Sequence, residues 1–218
     1  MIALVVALDS EAKSFLDKIQ NKKEFLIAGK KTYSGTVANK DVVLSICGVG
    51  KVNAGLATQL LIDKYSPEYI VNFGTAGGMN STVKVKDYYL INECAQYDFD
   101  LSYLDPVPVG YIQDYQRVLF PTFTDKLDFL PESKVASGDR FNDDTKDVAT
   151  ILNMGCTLRD MEGGAIAQVC LANQTKLVMV KGVSDVYGAQ TATEQFLSNL
   201  HGVSEGFADI IERVIKAL

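Results

Sequence analysis

The sequence predicts an α/β protein in which helices cover both faces of a mixed, largely parallel central sheet: a three-layer α/β/α sandwich. Three features carry that reading. Runs such as Ile2 to Ala7 and Tyr69 to Phe73 are continuously apolar and β-branched, the pattern of strands buried on both faces. Stretches with apolar residues at helical spacing stand between such runs. Two further strand-like runs are separated only by Asn39-Lys40-Asp41, a turn-like triplet that makes a hairpin and so adds antiparallel pairing.

Taken in order, Ile2 to Ala7 is the first strand. Asp9 then caps a helix that carries Ala12, Phe15, Leu16 and Ile19 on one side. Thr32 to Ala38 and Val42 to Cys47 form the hairpin. Gly48-Val49-Gly50 opens a helix from about Val52 to Tyr65, ended by Ser66-Pro67 because the residue before proline avoids helical geometry. Tyr69 to Phe73 runs into Gly74-Thr-Ala-Gly-Gly78, a glycine-rich loop at the carboxyl end of a strand, where ligands of open α/β sheets bind. Further strands are expected over Asp87 to Gln96, Lys134 to Ala136 and Lys176 to Val180. Between them, Asp98 to Pro131 lacks clean periodicity and reads as an irregular excursion, of a length that tends to be functional. A long amphipathic helix with Phe196, Leu200, Val203, Phe207, Ile210, Ile211, Val214 and Leu218 on one face closes the chain. The length fits one α/β domain and no internal repeat appears, so a single domain over 1–218 is expected.

Composition narrows the partners. With 47% apolar and 22% charged residues the chain can bury a sizeable core, which sets disorder aside. A formal charge of −6 and the lack of clustered Lys and Arg argue against nucleic acid. Arg117, Arg140, Arg159 and Arg213 are the only arginines, so nothing upstream offers a guanidinium fork to phosphate. Cys47, Cys94, Cys156 and Cys170 are scattered, without a CxxC pair, and read as reduced core residues. His201 is the only histidine, so no zinc site is expected. Met1 to Leu8 lacks a positive n-region and meets Asp9 and Glu11 at once, which fails as a signal peptide; no apolar run reaches membrane-spanning length. The expectation is a cytoplasmic protein without membrane association.

Four acidic or glycine-rich segments each follow a strand-like run: Ala7-Leu-Asp-Ser-Glu11, Gly74-Thr-Ala-Gly-Gly78, Asp160-Met-Glu-Gly-Gly164 and Val183-Ser-Asp185. That pattern places them on one rim of the sheet, where carboxylates and backbone-exposing glycines suit a neutral polyol-bearing ligand and acid–base work on it. Taken singly, each residue also has an ordinary structural role. Glu11 and Glu162 suit the first turn of a helix, Asp185 an N-cap beside Ser184, and Met161 and Phe141 a core.

Those segments, together with Gly48-Val-Gly-Lys-Val-Asn-Ala54, Asn72-Phe73, Ser137-Gly-Asp-Arg-Phe141, Ala165-Ile-Ala-Gln-Val-Cys170 and Val186, resemble the 5′-methylthioadenosine/S-adenosylhomocysteine nucleosidases of the purine nucleoside phosphorylase superfamily. The resemblance covers nearly the whole chain, and ordered motifs at family spacing are far more specific than one glycine loop. It implies the phosphorylase/hydrolase fold in a homodimer. It also implies hydrolysis of the N-glycosidic bond of methylthioadenosine, S-adenosylhomocysteine or 5′-deoxyadenosine, with no metal or organic cofactor.

The resemblance assigns roles as well. Glu11 stands where the family's glutamate activates water, and Asp185 where its aspartate protonates the purine N7. Met161 and Glu162 match the pair that holds the ribose. Phe141 matches the aromatic that stacks on adenine, and the main chain at Phe141 and Asn142 would read the purine edge. Val49, between two glycines that let the backbone approach, would touch the 5′ substituent. Ser184 would orient Asp185, Thr75 stands for the usual serine, and Leu8 joins the substrate-binding set from the first motif. Departures are present too: Lys181 replaces an arginine near the water, and Thr193 a phenylalanine of the 5′ pocket. Leu101 and Leu104 fall where a partner subunit normally contributes a valine and a phenylalanine.

Rival readings are a phosphorylase or a futalosine-type hydrolase of the same fold and, from another class, a non-catalytic nucleoside-binding protein. Early arginines position phosphate in the phosphorylases, and none precedes Arg117. Intact Glu11, Glu162 and Asp185 weigh against lost chemistry. A dinucleotide-binding dehydrogenase fails because Asn53 occupies the third glycine position of GxGxxG.

Overall fold

The computed structural model describes residues 1–188 and 191–218. It opens with β1 (Ile2–Val6), every residue of which is buried. Next come α1 (Asp9–Leu16) and the antiparallel meander β2 (Gln20–Ile27), β3 (Lys30–Val37) and β4 (Lys40–Ile46). α2 (Lys51–Tyr65), β5 (Tyr69–Gly78) and β6 (Tyr88–Gln96) follow. The excursion after β6 holds one turn of 3₁₀-helix (Gln113–Tyr115) and the two-residue β7 (Phe120–Pro121). The chain ends with β8 (Glu132–Ser137), α3 (Thr145–Asn153), β9 (Leu158–Asp160), α4 (Gly163–Ala172), β10 (Lys176–Val186) and α5 (Ala192–Ala217).

β1 lies between β4 and β5 and is parallel to both. β5 also pairs with β10 in parallel and with β9 antiparallel; β10 pairs with β6, β6 with β8, and β8 with β9. The sheet therefore closes into a ring of five strands, with β1, β4, β3 and β2 running off one side. Alternate side chains of β1 enter opposite layers, as strand geometry requires. Leu4 and Val6 pack with Phe15 of α1 and Phe207 of α5, while Ala3 and Val5 pack with Leu61 of α2 and Ile166 of α4. Phe15, Phe73, Phe207 and Tyr88 form a chain of ring contacts at 5.4 to 5.5 Å that fastens the α1/α5 layer to the sheet. All four cysteines are free and buried. Among the described residues no helix is long and apolar enough to cross a membrane.

Several local expectations change. Leu8, not Asp9, occupies the cap position of α1, with extended backbone at φ −117° and ψ 144°. Glu11 turns back so that its Oε2 accepts from the Leu8 N–H at 3.1 Å, which satisfies a group that an aspartate cap would have left outside the helix. The helix stops at Leu16, so Ile19 is buried in the turn beyond it. β2 is an additional strand: Gln20 to Glu24 is exposed at the sheet edge, so no period-two pattern announces it.

The glycine segment and Ser184-Asp185 do not follow strands but end them. Gly74 to Gly78 closes β5, and Ser184 and Asp185 lie in β10, paired along β5 with a register shift between Val183 and Asp185. The glycines serve close approach rather than a turn. A Cβ on Gly77 would sit 2.7 Å from Asp185 Oδ2, and one on Gly74 would sit 3.1 Å from Glu11 Oε1.

Candidate active site

A cavity of about 510 Å³ opens at the carboxyl ends of β1, β5 and β10. The segment between β9 and α4, the glycine pair before α2 and the start of α5 complete its wall. Leu8, Glu11, Val49, Thr75, Phe141, Met161, Glu162, Ser184 and Asp185 all line it. All four sequence segments thus meet in one place, although they are far apart in the chain.

Glu11 is buried and held at three points. Its Oε1 accepts from the Thr75 N–H and from the Thr75 hydroxyl, each at 2.7 Å, and its Oε2 accepts from Leu8 N–H. Burial pushes its pKa above the ordinary value, against the pull of these hydrogen bonds and of Lys181. A fixed carboxylate that still favours taking a proton has the character of a general base.

Asp185, on β10, lies farther along β5, with Oδ1 accepting from the Ser184 hydroxyl at 2.7 Å. Burial raises its pKa too, opposed by that hydroxyl and by Arg159. The residues that Glu11 and Asp185 face on β5, Gly74 or Thr75 and Gly77, are two or three apart. At about 3.3 Å per strand residue, the two acids stand roughly 7 to 10 Å apart along the strand.

Glu162 forms the cap position of α4, just before the helix rather than in its first turn, and its Oε1 accepts from the Gly50 N–H at 2.9 Å. Burial, reinforced by the Asp160 carboxylate, pushes its pKa up to about 7. Behind it, Asp160 Oδ2 accepts from Gly163 N–H at 2.9 Å and pairs with Lys181 at 2.7 Å. Its Oδ1 accepts from the Ser137 hydroxyl, whose oxygen accepts from Gly164 N–H. Lys181 is therefore spent on Asp160 and does not reach the cavity wall.

Phe141 is half exposed over the opening and packs edge-on against Phe196 at 5.5 Å. Thr193 lies at the same rim. Asn142 does not line the cavity. Its amide donates to Asp147 Oδ2 at 3.0 Å, and its Oδ1 accepts from Arg159 and from Asp144 N–H, which fixes the side chain behind the wall. Leu101 and Leu104 lie outside the wall as well, Leu104 being 80% exposed. The sequence reading missed Arg140, Arg159, Phe196 and Leu197, which complete the lining. Arg159 adjoins the Asp160-Met161-Glu162 motif and Arg140 adjoins Phe141, and those adjacencies were the available signals.

The chain matches the phosphorylase superfamily over residues 1–216. It is 30% identical over 231 aligned positions to a 5′-methylthioadenosine/S-adenosylhomocysteine nucleosidase of Bacillus pumilus, covering 99% of this chain and 98% of that one. The solved nucleosidase of that name from Colwellia psychrerythraea, in complex with adenine, superposes with a TM-score of 0.91 at 27% identity. That match covers 100% of this chain and 95% of the other. The Neisseria meningitidis nucleosidase in complex with methylthio-immucillin-A gives the same TM-score at 26% identity, covering 100% and 99%. The chain belongs to the phosphorylase superfamily and, within it, to the 5′-methylthioadenosine/S-adenosylhomocysteine nucleosidases.

Proposed function

We propose that the protein hydrolyses the N-glycosidic bond of a 5′-substituted adenosine, methylthioadenosine or S-adenosylhomocysteine and by extension 5′-deoxyadenosine, releasing adenine and the 5′-substituted ribose. The observation that carries this reading is the pair of buried acids in one cavity, Glu11 from the α1 side of β5 and Asp185 from β10, set apart along β5. Asp185 in its protonated form gives its proton to N7 as the C1′–N9 bond breaks. A water adds its oxygen to C1′ and loses a proton to Glu11. The base leaves neutral, and solvent resets both acids.

The other residues bind. Glu162, anchored by Gly50, accepts from the ribose hydroxyls, with Met161 packed against the ring. Phe141 stacks on the base, and Val49, Leu8 and the α5 rim, Thr193, Phe196 and Leu197, surround the 5′ group. Thr75 fixes Glu11, and Ser184 fixes Asp185.

Water is favoured over phosphate as the nucleophile. The cations of the cavity wall are Arg140 and Arg159; Arg140 is paired with Asp147 at 3.2 Å, and Arg159 acts on Asp185 rather than on Glu11. A phosphate beside Glu11 would meet a carboxylate instead.

We further propose a single domain over 1–218 acting as a homodimer in the cytoplasm, in nucleoside catabolism and methionine salvage. The exposed apolar Val52 and Leu56 on α2, and Tyr103 and Leu104 on the excursion, support a partner surface. Four free buried cysteines fit a reducing compartment. Glu11→Gln tests the reading: turnover should fall by at least about 10³-fold with adenine affinity kept. Unchanged turnover would remove Glu11 from the chemistry, and binding without turnover in the wild-type chain would leave a nucleoside-binding protein.

A further inference from the structure

Arg159 is an anomaly of the cavity wall. It is 5% exposed, yet among the described residues no carboxylate comes within ion-pairing distance of it. Among the described residues its one side-chain hydrogen bond is long, from Nη1 to Asn142 Oδ1 at 3.3 Å. A guanidinium carries five N–H donors and no acceptor, so most of this group's donors have no protein acceptor at the cavity wall. β9 pairs with the end of β5 at Arg159↔Gly77, and a Cβ on Gly77 would lie 2.7 Å from Asp185 Oδ2 and 3.5 Å from Arg159 Nε. The unspent donors and the proposed acid thus border the same few ångströms of wall.

The edge chemistry of purines says what such a pair reads. N7 and the substituent at position six lie side by side on one edge. Adenine presents there an acceptor and an amino donor, whereas a 6-oxopurine presents two acceptors. A protonated carboxyl offers one donor and one acceptor and matches adenine alone. A donor-only guanidinium beside it matches an oxygen at position six. Asn142, held by Asp147 and by the Asp144 N–H, keeps Arg159 in place.

We propose that Arg159 is a base-selecting residue that lets this site take 6-oxopurine nucleosides, the 5′-substituted inosine class, as well as the adenosine class. The inference rests on the nucleosidase reading and extends its substrate range. The reaction is unchanged: water adds across C1′–N9, Glu11 takes its proton, and Asp185 supplies one to N7. Arg159 contributes hydrogen bonds to the leaving base and no proton.

The test compares 5′-methylthioinosine with 5′-methylthioadenosine in the wild-type protein, Arg159→Met and Arg159→Gln, and measures binding of free hypoxanthine and adenine to each. The wild-type protein should release hypoxanthine. Both variants should move the ratio of efficiencies toward the adenosine substrate by at least about tenfold, and the ratio of base affinities in the same direction. Equal losses on both nucleosides and both bases would make Arg159 structural and overturn the proposal, as would a wild-type protein that cleaves methylthioadenosine alone and does not bind hypoxanthine. The base-affinity ratio reads Arg159 independently of turnover. A protein that cleaves neither nucleoside, but loses hypoxanthine selectively on substitution, overturns the hydrolase reading and with it the wider substrate range, and leaves Arg159 as a selector of bound bases.

Discussion

The ammonium of Lys181 lies 2.7 Å from Asp160 Oδ2, with both side chains sealed from solvent. Burial works against the ammonium, but Asp160, Glu162 and Glu11 outweigh it and leave its pKa above the ordinary value. The pair stands on the capping network of α4, and its ammonium is the positive charge behind Glu11 and Glu162.

Removing one partner should therefore be costly. Lys181→Met leaves Asp160 buried and unpaired and is expected to lower stability by about 3 to 5 kcal/mol, and Lys181→Met/Asp160→Asn should recover much of that. Denaturant unfolding of the two variants checks it. An additive double variant would mean that the two residues do not act as a pair.

Glu162 gives a pH signature. Its carboxyl titrates near 7 in the folded chain against an ordinary value of 4.5. Between those values the folded state holds the proton more tightly, so stability falls as pH rises through the window, by up to about 3 kcal/mol. Substrate binding runs the other way: the ionised form accepts from the sugar hydroxyls, so KM should rise as pH falls below 7. Glu162→Gln should flatten both profiles.

The glycines of β5 are expected to be intolerant for a chemical reason. Gly77→Ala drives a methyl to 2.7 Å from Asp185 Oδ2, and an acid displaced by about 1 Å loses roughly 10²-fold in kcat. Gly155→Ala, whose Cβ meets nothing within 4 Å, controls for general loss of fold, though its φ of +75° gives it a modest backbone penalty. A Gly77→Ala enzyme with wild-type kcat would contradict the role of Asp185.

Three loops of the site are locked by a small ring of polar contacts. Lys51 Nζ pairs with Asp98 Oδ1 at 2.6 Å, Asp98 Oδ2 accepts from Asp139 N–H at 2.9 Å, and Asp139 Oδ1 accepts from Lys51 N–H at 2.8 Å. The ring ties the Val49 loop to the Phe141 loop. Asp98→Asn should raise KM about fivefold, equivalent to about 1 kcal/mol, and more than it lowers kcat. A change in kcat alone would argue against a binding role.

The elements and the site differ in how plainly the chain announces them. The apolar runs at Ile2 and Tyr69 and the helical face from Phe196 onward are driven by burial, so their periodicity is visible. β2 is half solvent and leaves no pattern. Gly74 to Gly78 reads as a loop because local preference places glycine in turns, whereas its place in β5 is dictated by carboxylates arriving from α1 and β10. The same limit hid Phe196 and Leu197, whose place at the cavity depends on how α5 packs and not on their neighbours in sequence.

The measurement that tests the central claim most directly is adenine release from 5′-methylthioadenosine by the purified protein, in phosphate-free buffer and with phosphate added. Release without phosphate is expected, at a rate that phosphate does not increase. Release that depends on phosphate would contradict the claim, because phosphate and not a Glu11-activated water would then attack the sugar.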